Sequence, residues 1–457
     1  MKKVITYGSF DLFHEGHYRL LKRAKELGDY LIVGVTTEQY DEYRGKLNIV
    51  DSLMERIEHV KQTGFADQII IEDHVGQKIE DIQKYNVDIF TVGSDWTGKF
   101  EHLKRYCDVV YLERTKGISS TLLRCGDKGI IRLGIIGSGR IAKRFVPEVK
   151  YVSGVNVEAV YNPHLESAKQ LATENELEIY TDKLEILYEH SDAVYIATPH
   201  KNHYSYIKNA LQNHKHVLCE KPMVLTKQQA EEMFALAQQQ NCILMEAIKT
   251  AYAPGFMKLV STTRSGGIGK ICDVEAAFTK LVENSGSREF QLEEDGGSFT
   301  ELGTYPVFAI LKVLGHDYED IRFTSFTDEK GVDLYTKAQF IYKNAVASVK
   351  VGLGVKTEGN LVISGTNGYL LAESPWWMTK NFELRFEDFE NNEKFFSKYQ
   401  GQGLRYEISA FISKINGYHK YDNAISPEDS IKLAEIMELY LKQRKEKMIK
   451  EIPFSYE

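Results

Sequence analysis

Twice in this chain a short apolar run breaks into a glycine-bearing turn and then into helical spacing. The first is Val4 to Tyr7, ending at Gly8 within MKKVITYGSFDLFHEGH. The second is Ile130 to Ile136, followed at once by Gly137-Ser138-Gly139-Arg140-Ile141-Ala142. A strand that ends in such a turn and feeds a helix gathers unpaired N–H groups and the positive end of the helix dipole at one spot, which favours phosphate. Two such turns call for two parallel sheets. The stretch CGDKGIIRLGIIGSGRIA, residues 125–142, is the seam, with only Cys125 to Gly129 as tether. So short a tether limits relative motion.

Length and charge narrow the class. At 457 residues the chain exceeds one ordinary core. Lys and Arg number 57 against 65 Asp and Glu, giving −8, so no chain-wide basic surface invites nucleic acid. Cys107, Cys125, Cys219, Cys242 and Cys272 form neither a CxxC pair nor a disulfide framework, which fits a reducing cytoplasm. The N-terminus reaches Asp11 and His14 before any long apolar run, so neither a signal peptide nor membrane insertion is expected.

In residues 1–127, apolar runs at Tyr30 to Val35, Gln68 to Ile71, Asp88 to Val92 and Asp108 to Leu112 alternate with amphipathic stretches. That is the pattern of a parallel α/β sheet with ligands at its strand C-terminal ends. The first loop holds Asp11, His14, Gly16 and His17 beside a helix start. Imidazole donors there can neutralise charge that builds up in phosphoryl transfer. Two histidines capping a helix would look the same.

MKKVITYGSFDLFHEGH, LLKRAKELGDYLIVGVTTEQY, VGSDWTGKF and RTKGISSTLLR stand in that order. With them the first 124 residues or so resemble the glycerol-3-phosphate cytidylyltransferase family of HxGH nucleotidyltransferases. The resemblance implies a CTP site along Gly8, Ser9, Phe10 and Asp11, with His14 and His17 on the triphosphate. Asp11 would order the site or a Mg²⁺ carried with CTP. Lys46 and Arg56 would hold phosphates, Asp95 and Trp96 would shape the cytidine pocket, and Arg114, Ser119 and Thr121 would clamp CTP. Arg44 and Lys116 depart from the family pattern, so glycerol 3-phosphate as acceptor does not follow.

From residue 130 the pattern is a Rossmann unit, the third glycine of its fingerprint replaced by Ala142, a small residue that serves helix packing. The next strand, Val157 to Tyr161, ends in Asn162 rather than an acid, which leaves NAD against NADP open. Strands Ala193 to Ala197, Val217 to Cys219 and Ile243 to Glu246 follow. The motifs GSGRIA, TPHKNH at 198–203, CEKPM at 219–223 and GGSFTELGTYPV at 296–307 resemble the Gfo/Idh/MocA oxidoreductase family over residues 130 to about 445.

That resemblance implies NAD or NADP held by Gly137, Gly139, Arg140, Ile141, Asn162, Thr198, Pro199, His203 and Glu220. Lys221 and Tyr305 would be catalytic, Tyr305 as proton donor to a carbonyl oxygen, while Arg288 and Glu301 would bind substrate. One helix opening at Gly296-Gly297 is expected to carry Glu301 and Tyr305 on one face. Longer strands, Leu334 to Tyr342 and Ala345 to Val351, flank a Lys343-Asn344 hairpin turn, and Ser426-Pro427-Glu428 opens an amphipathic tail helix.

The expected class is therefore α/β: a Rossmann-like nucleotidyltransferase domain at 1–127, a classical dinucleotide-binding domain at 130–250, and an α+β domain with an open, mostly antiparallel sheet at 251–457. The expected function is a bifunctional enzyme making a CDP-activated polyol by keto-phosphate reduction and cytidylyl transfer. Two alternatives stand beside it: a cytidylyltransferase with a ligand-sensing C-terminal half, and an oxidoreductase acting on the CDP-linked product. Expected partners are small molecules, CTP and a phosphorylated polyol or ketose, and further copies of the chain in a homo-oligomer.

Overall fold

The structure is a computed structural model. It describes the chain apart from residues 12, 14, 44–48, 50, 114–129, 284–285, 419–423 and 454–457, and apart from the side chains of Glu15, Glu42 and Asp95. The seam falls mostly in the undescribed stretch. Two compact units emerge, residues 1–131 with 149–156, and residues 132–148 with 157–457.

In the first unit, β1 (Lys3–Gly8), β2 (Tyr30–Thr36), β3 (Gln68–Glu72), β4 (Ile89–Gly93) and β5 (Asp108–Leu112) form a sheet ordered β3-β2-β1-β4-β5. All its pairings are parallel. Alternate residues go to opposite faces. Val4, Leu31, Val33 and Val35 pack with Leu21, Ala24 and Val60, while Ile5, Tyr7, Ile32 and Phe90 pack with Ile82 and Leu103. Chain order reverses at β1, whose neighbours are β2 and β4, and ligand crevices form at such a point.

The second unit begins with a doubly wound parallel sheet ordered β11-β10-β9-β6-β7-β8. Its strands are β6 (Ile131–Ile136), β7 (Val155–Tyr161), β8 (Ile179–Thr181), β9 (Ala193–Ile196), β10 (His216–Glu220) and β11 (Leu244–Ala247). The switch lies between β6 and β9, where Gly137 begins the glycine turn. Gly137 has φ +100, and a Cβ there would meet the Ala197 carbonyl oxygen at 2.5 Å, so only glycine fits.

The remaining strands are β12 (Ile271–Thr279), β13 (Tyr318–Thr327), β14 (Asp333–Tyr342), β15 (Val346–Gly352), β16 (Leu361–Gly365), β17 (Tyr369–Ala372), β18 (Asn381–Arg385), β19 (Glu393–Phe396) and β20 (Lys450–Pro453). They form one nine-stranded sheet, β19-β18-β17-β16-β12-β15-β14-β13-β20. It is mixed but mostly antiparallel, β12 with β15 and β13 with β20 being its parallel pairs. The hairpin at Lys343-Asn344 is present, with Ile341 opposite Val346. The tail helix Pro427–Lys445 opens on a capping box in which Ser426 and Asp429 satisfy each other's backbone N–H.

One expectation fails. Glu301 and Tyr305 do not share a helix: Ser298–Leu302 and Thr304–Leu314 are separate, with a turn at Gly303. Pro306 has no N–H to offer the Leu302 carbonyl, which interrupts the ladder there, although Gly303 keeps helical φ/ψ and its own bond to the Phe299 carbonyl at 2.8 Å.

Two buried polar anchors give stability predictions. Trp376 is fully buried and donates its indole N–H to the Ala277 carbonyl at 2.8 Å. Trp376→Ala is expected to destabilise the second unit by about 3–5 kcal/mol, read by urea denaturation through Trp377 fluorescence. Arg56 is also fully buried; it donates to the carbonyls of Ser9 (2.9 Å), Thr36 (2.7 Å) and Asp51 (3.0 Å) and lies 3.5 Å from buried Asp41. Arg56→Met strands Asp41 and should destabilise the first unit by about 3–5 kcal/mol. Faster hydrogen exchange confined to peptides of residues 1–113 is the expected signature.

Candidate active sites

In the first unit, the C-terminal ends of adjacent β1 and β4 bring two predicted segments to one sheet edge. After β1 come Gly8, Ser9, Phe10 and Asp11; after β4 comes the 3-10 turn Ser94–Trp96, which carries Asp95 and Trp96. Phe10 takes φ +53, which swings the chain at the strand end. A Cβ on Gly8 would crowd its ring at 3.0 Å. Asp11 is fully buried and accepts from the Asp51 N–H at 2.8 Å, so it ties the loop down.

His17 sits in the helix Glu15–Lys25, its ring 5.5 Å from Phe10 and 5.4 Å from Phe13. Trp96 is exposed, with the Lys99 ammonium 4.8 Å from its ring centroid, a platform on which a base can stack. Arg56, expected on phosphate, is fully buried, with Nη1 on the Ser9 and Thr36 carbonyls and Nε on that of Asp51, while Nη2 lies 3.5 Å from Glu38 and has no hydrogen-bond partner among the described residues. His14, Lys46, Arg114, Ser119 and Thr121 lie outside the described residues, as do Arg44 and Lys116. Among the described residues no group of three or more His, Cys, Asp or Glu could hold a metal.

In the second unit the glycine turn is built for close approach. A Cβ on Gly139 would meet nothing within 4 Å, so the turn is open in front while Gly137 seals it behind. Ser138 accepts from Asn162 Nδ2 at 2.8 Å, and Asn162 Oδ1 accepts from the His164 N–H at 2.9 Å. Asn162 is thereby placed beside the turn, where a ribose would lie. Arg140 reaches Glu289 at 2.8 Å, and Ile141 is half-buried next to Ala142, the first residue of the following helix. These residues fit a dinucleotide.

Three segments border the groove at the ends of β9, β10 and β11. Thr198 and Pro199 precede the helix His200–Gln212, and the Thr198 hydroxyl finds no partner among the described residues. His203 corrects the expectation that it lines the cofactor groove. It is fully buried, with Nδ1 2.9 Å from the Pro222 carbonyl and Nε2 2.9 Å from that of Thr198. Burial pushes this imidazole down to about 4 against the pull of those two carbonyls. The ring is packed between the TPH and EKP turns, and in its neutral form its single N–H donates to one of the two carbonyls.

Glu220 ends β10 and accepts from the Tyr195 hydroxyl at 2.5 Å. Burial raises its carboxyl above the usual range, opposed by the charge of Lys221. Lys221 Nζ donates to the Glu301 carbonyl at 2.8 Å and lies 5.8 Å from the Tyr305 ring centroid. Tyr305 also meets the Phe278 ring at 5.4 Å. Burial, then the charges of Glu220 and Glu407, holds its hydroxyl well above the ordinary tyrosine range. The phenol therefore keeps its proton, as a donor must.

Around Glu301 the structure assembles a group that the sequence reading only half foresaw. Arg288 and His200 stand 3.6 Å and 3.8 Å from Glu301 Oε1. His200 lay in plain view within TPHKNH, but nothing in the motif marks it off from His203. Its Nδ1 is buried without a partner among the described residues, and burial followed by the Lys221 charge keeps the ring neutral. Lys221, His200, Glu301, Arg288 and Tyr305 thus converge from the end of β10, the His200 helix, the 3-10 turn Arg288–Phe290 and the two helices on either side of Gly303.

Comparison with known proteins matches this division. A family described as cytidylyltransferase-like covers residues 5–126. The oxidoreductase family with an NAD-binding Rossmann fold covers 131–248, and the GFO/IDH/MocA C-terminal domain covers 256–371. Glycerol-3-phosphate cytidylyltransferase of Bacillus spizizenii is 50% identical over 124 residues, 27% of this chain and 95% of that protein. The Staphylococcus aureus enzyme of the same name is 44% identical over 124 residues, covering 27% of this chain and 93% of its own. The dTDP-3,4-didehydro-2,6-dideoxy-alpha-D-glucose 3-reductase of Actinomadura kijaniata is 29% identical over 258 residues, 55% of this chain and 75% of that one.

Among solved structures, a 3-ketoreductase from Actinomadura kijaniata with NADP and TDP-benzene superposes with TM-score 0.63 at 24% identity, covering 71% of this chain and 99% of its own. Levoglucosan dehydrogenase with NADH and levoglucosan gives 0.61 at 17% identity, with coverage of 69% and 97%. The chain belongs to the glycerol-3-phosphate cytidylyltransferase family through its N-terminal unit and to the GFO/IDH/MocA oxidoreductases through the rest, a cytidylyltransferase and an NAD(P)-dependent oxidoreductase in one polypeptide.

Proposed function

We propose that this chain makes a CDP-activated polyol in two steps: reduction of a small keto-phosphate with NADH or NADPH, then cytidylyl transfer to the resulting polyol phosphate. Residues 1–127 would serve the transfer, 130–250 the dinucleotide and 251–457 the keto substrate. The observation that carries the reading is the Lys221, Tyr305 and Glu301 cluster at the mouth of the glycine-turn groove, fused to a unit that activates phosphates.

Bound NAD(P)H supplies the hydride for the carbonyl carbon. Tyr305 donates its proton to the carbonyl oxygen, and the Lys221 ammonium stabilises charge developing there. Glu301 and His200 orient substrate hydroxyls, and Arg288 faces the phosphate. Solved structures of the 3-ketoreductase include one with a tyrosine changed to phenylalanine and others with a lysine changed. Those two positions stand as far apart in that chain as Lys221 and Tyr305 do here, which supports the pairing.

In the transfer, a phosphate oxygen of the polyol phosphate attacks the α-phosphorus of CTP in line and pyrophosphate leaves. His14 and His17 donate to the triphosphate, Trp96 stacks on the base, and Lys46, Arg114, Ser119 and Thr121 hold phosphates. Mg²⁺ would come with CTP, held chiefly by its phosphate oxygens, with Asp11 ordering the loop beside it. A homo-oligomer belongs to the same proposal.

One observation favours a second order of events. The 3-reductase relatives carry nucleotide-linked sugars in their names, so the reductase here would take a CDP-linked product instead. Order of addition separates the two, because that version needs CTP before any change in NAD(P)H absorbance.

Incubation with CTP, NADH or NADPH and a panel of keto-phosphates, with products read by mass spectrometry, is expected to give a CDP-polyol and pyrophosphate. Turnover of one cofactor alone with every candidate would reject the coupled reaction. Lys221→Met should cut NAD(P)H oxidation by about 10²-fold or more and leave CTP turnover with a preformed polyol phosphate intact. His17→Ala should do the opposite.

A further inference from the structure

NAD and NADP differ by one phosphate on the adenosine ribose, and the end of the second strand is where a dinucleotide sheet reads that difference. An acid there takes the 2′-hydroxyl and repels a 2′-phosphate, whereas a nearby arginine accommodates the phosphate. Here that strand is β7, and the turn Tyr161 to His164 contains neither an acid nor an arginine. The reading position holds Asn162.

Hydrogen bonds on both sides fix this side chain. The Gly137 N–H donates to the Tyr161 carbonyl at 2.8 Å, joining the glycine turn to the end of β7, and the Asn162 N–H donates to the Thr181 carbonyl at 3.1 Å. Asn162 Nδ2 donates to the Ser138 hydroxyl oxygen at 2.8 Å, and Oδ1 accepts from the His164 N–H at 2.9 Å. A backbone N–H can only donate, so the amide oxygen is held at the His164 end and the amide nitrogen faces the glycine turn. One hydrogen on Nδ2 and one lone pair on Oδ1 are left over. The Ser138 hydroxyl, having accepted, keeps its own hydrogen to give.

The charges around this corner are spent in pairs. Arg140 of the glycine turn reaches Glu289 at 2.8 Å, and Lys143 of the following helix reaches Glu174 at 3.3 Å. Glu166, on the helix Leu165–Glu174, lies 3.9 Å from Lys169, and the exposed Asp182 and Lys183 after β8 have opposite signs. A 2′-phosphate at Asn162 meets no acid to drive it off and no guanidinium to draw it in.

We propose that Asn162 makes the oxidoreductase half indifferent to the 2′-phosphate, so that it binds NADH and NADPH with affinities within about tenfold of each other. A 2′-hydroxyl accepts from Nδ2 and donates to the spare lone pair of Oδ1. A 2′-phosphate accepts from Nδ2 and from the Ser138 hydroxyl. Each dinucleotide finds neutral partners of the same kind, and specificity, being a difference of affinities, stays small. The inference rests on the dinucleotide site and not on the keto-phosphate reduction proposed above.

Asn162→Asp keeps the shape and both contacts, because the Ser138 hydroxyl can turn to donate and a carboxylate oxygen still accepts from the His164 N–H. Only a negative charge is added. Fluorescence titration of the full chain with NADPH and with NADH, without CTP or keto substrate, reads the two dissociation constants at pH 8, where imidazoles are ordinarily neutral. Wild type should bind both within about tenfold, and in Asn162→Asp NADPH should weaken relative to NADH by at least about tenfold.

A wild-type preference beyond tenfold in either direction, or an Asn162→Asp ratio that moves by less, overturns the proposal. Should Asn162→Asp not fold, Pro163→Arg reads the same corner in the opposite sense: NADPH should tighten relative to NADH by at least about tenfold, and an unmoved ratio overturns the proposal. Binding of neither dinucleotide by the wild-type chain overturns the inference together with the cofactor site beneath it. Binding of both within tenfold, without turnover of any keto-phosphate, upholds it and rejects only the reduction.

Discussion

The hydrogen bond from Lys221 Nζ to the Glu301 carbonyl, 2.8 Å long, is the joint on which the oxidoreductase half depends. Lys221 stands at the end of β10, among the groove-lining turns of the dinucleotide sheet. Glu301 stands on the short helix that follows the Gly296-Gly297 turn and leans on β14 of the nine-stranded sheet. Asp333 holds that turn from behind: its carboxylate accepts from the Phe299 N–H at 2.8 Å, and its own carbonyl accepts from the Ser298 hydroxyl at 2.8 Å. Gly297, at φ +131, has no room for a Cβ against Asp333. Arg444 of the tail helix closes the arrangement by donating to the Gly296 carbonyl at 2.8 Å. The ammonium is thus positioned by a chain of buried contacts that runs from one sheet through the other to the C-terminal helix.

Burial sets the chemistry around that joint. Glu220, Glu246 and Glu407 are all pushed above the usual carboxyl range, Glu246 to about 7, with burial as the leading cause each time. The imidazoles of His200 and His203 are pushed down by the same cause. The Lys221 ammonium, with the Arg288 guanidinium 3.6 Å from Glu301, supplies the positive charge facing Glu301 and Tyr305. A developing alkoxide would then meet fixed positive charge in a medium that screens it weakly.

The fold was legible in the sequence wherever periodicity met a glycine turn. Both parallel sheets, the hairpin at Lys343-Asn344 and the capped tail helix are where strand runs and cap residues place them. The single helix through Glu301 and Tyr305 was misread because Pro306 costs little in an apolar pattern but has no N–H for the Leu302 carbonyl and so interrupts the hydrogen-bond ladder. Arg56 and His203 were assigned to ligands because their residue types suit phosphate and cofactor; only three-dimensional accounting shows both side chains fully buried against backbone carbonyls.

The same rule explains why the two units differ in what they bury. In the first, the buried cation Arg56 is matched by backbone carbonyls and by Asp41, which fixes the ends of β1 and β2 and leaves the loop after β1, with His17, to face a ligand. A triphosphate brings its own charge, so this unit needs a firm edge more than a tuned one. In the second, Glu148 is matched by Arg405 and Asp333 by Arg444, whereas the Glu407 carboxyl has no hydrogen-bond partner among the described residues. A hydride acceptor brings a neutral carbonyl that becomes an alkoxide, and the protein must supply both the cation and the proton.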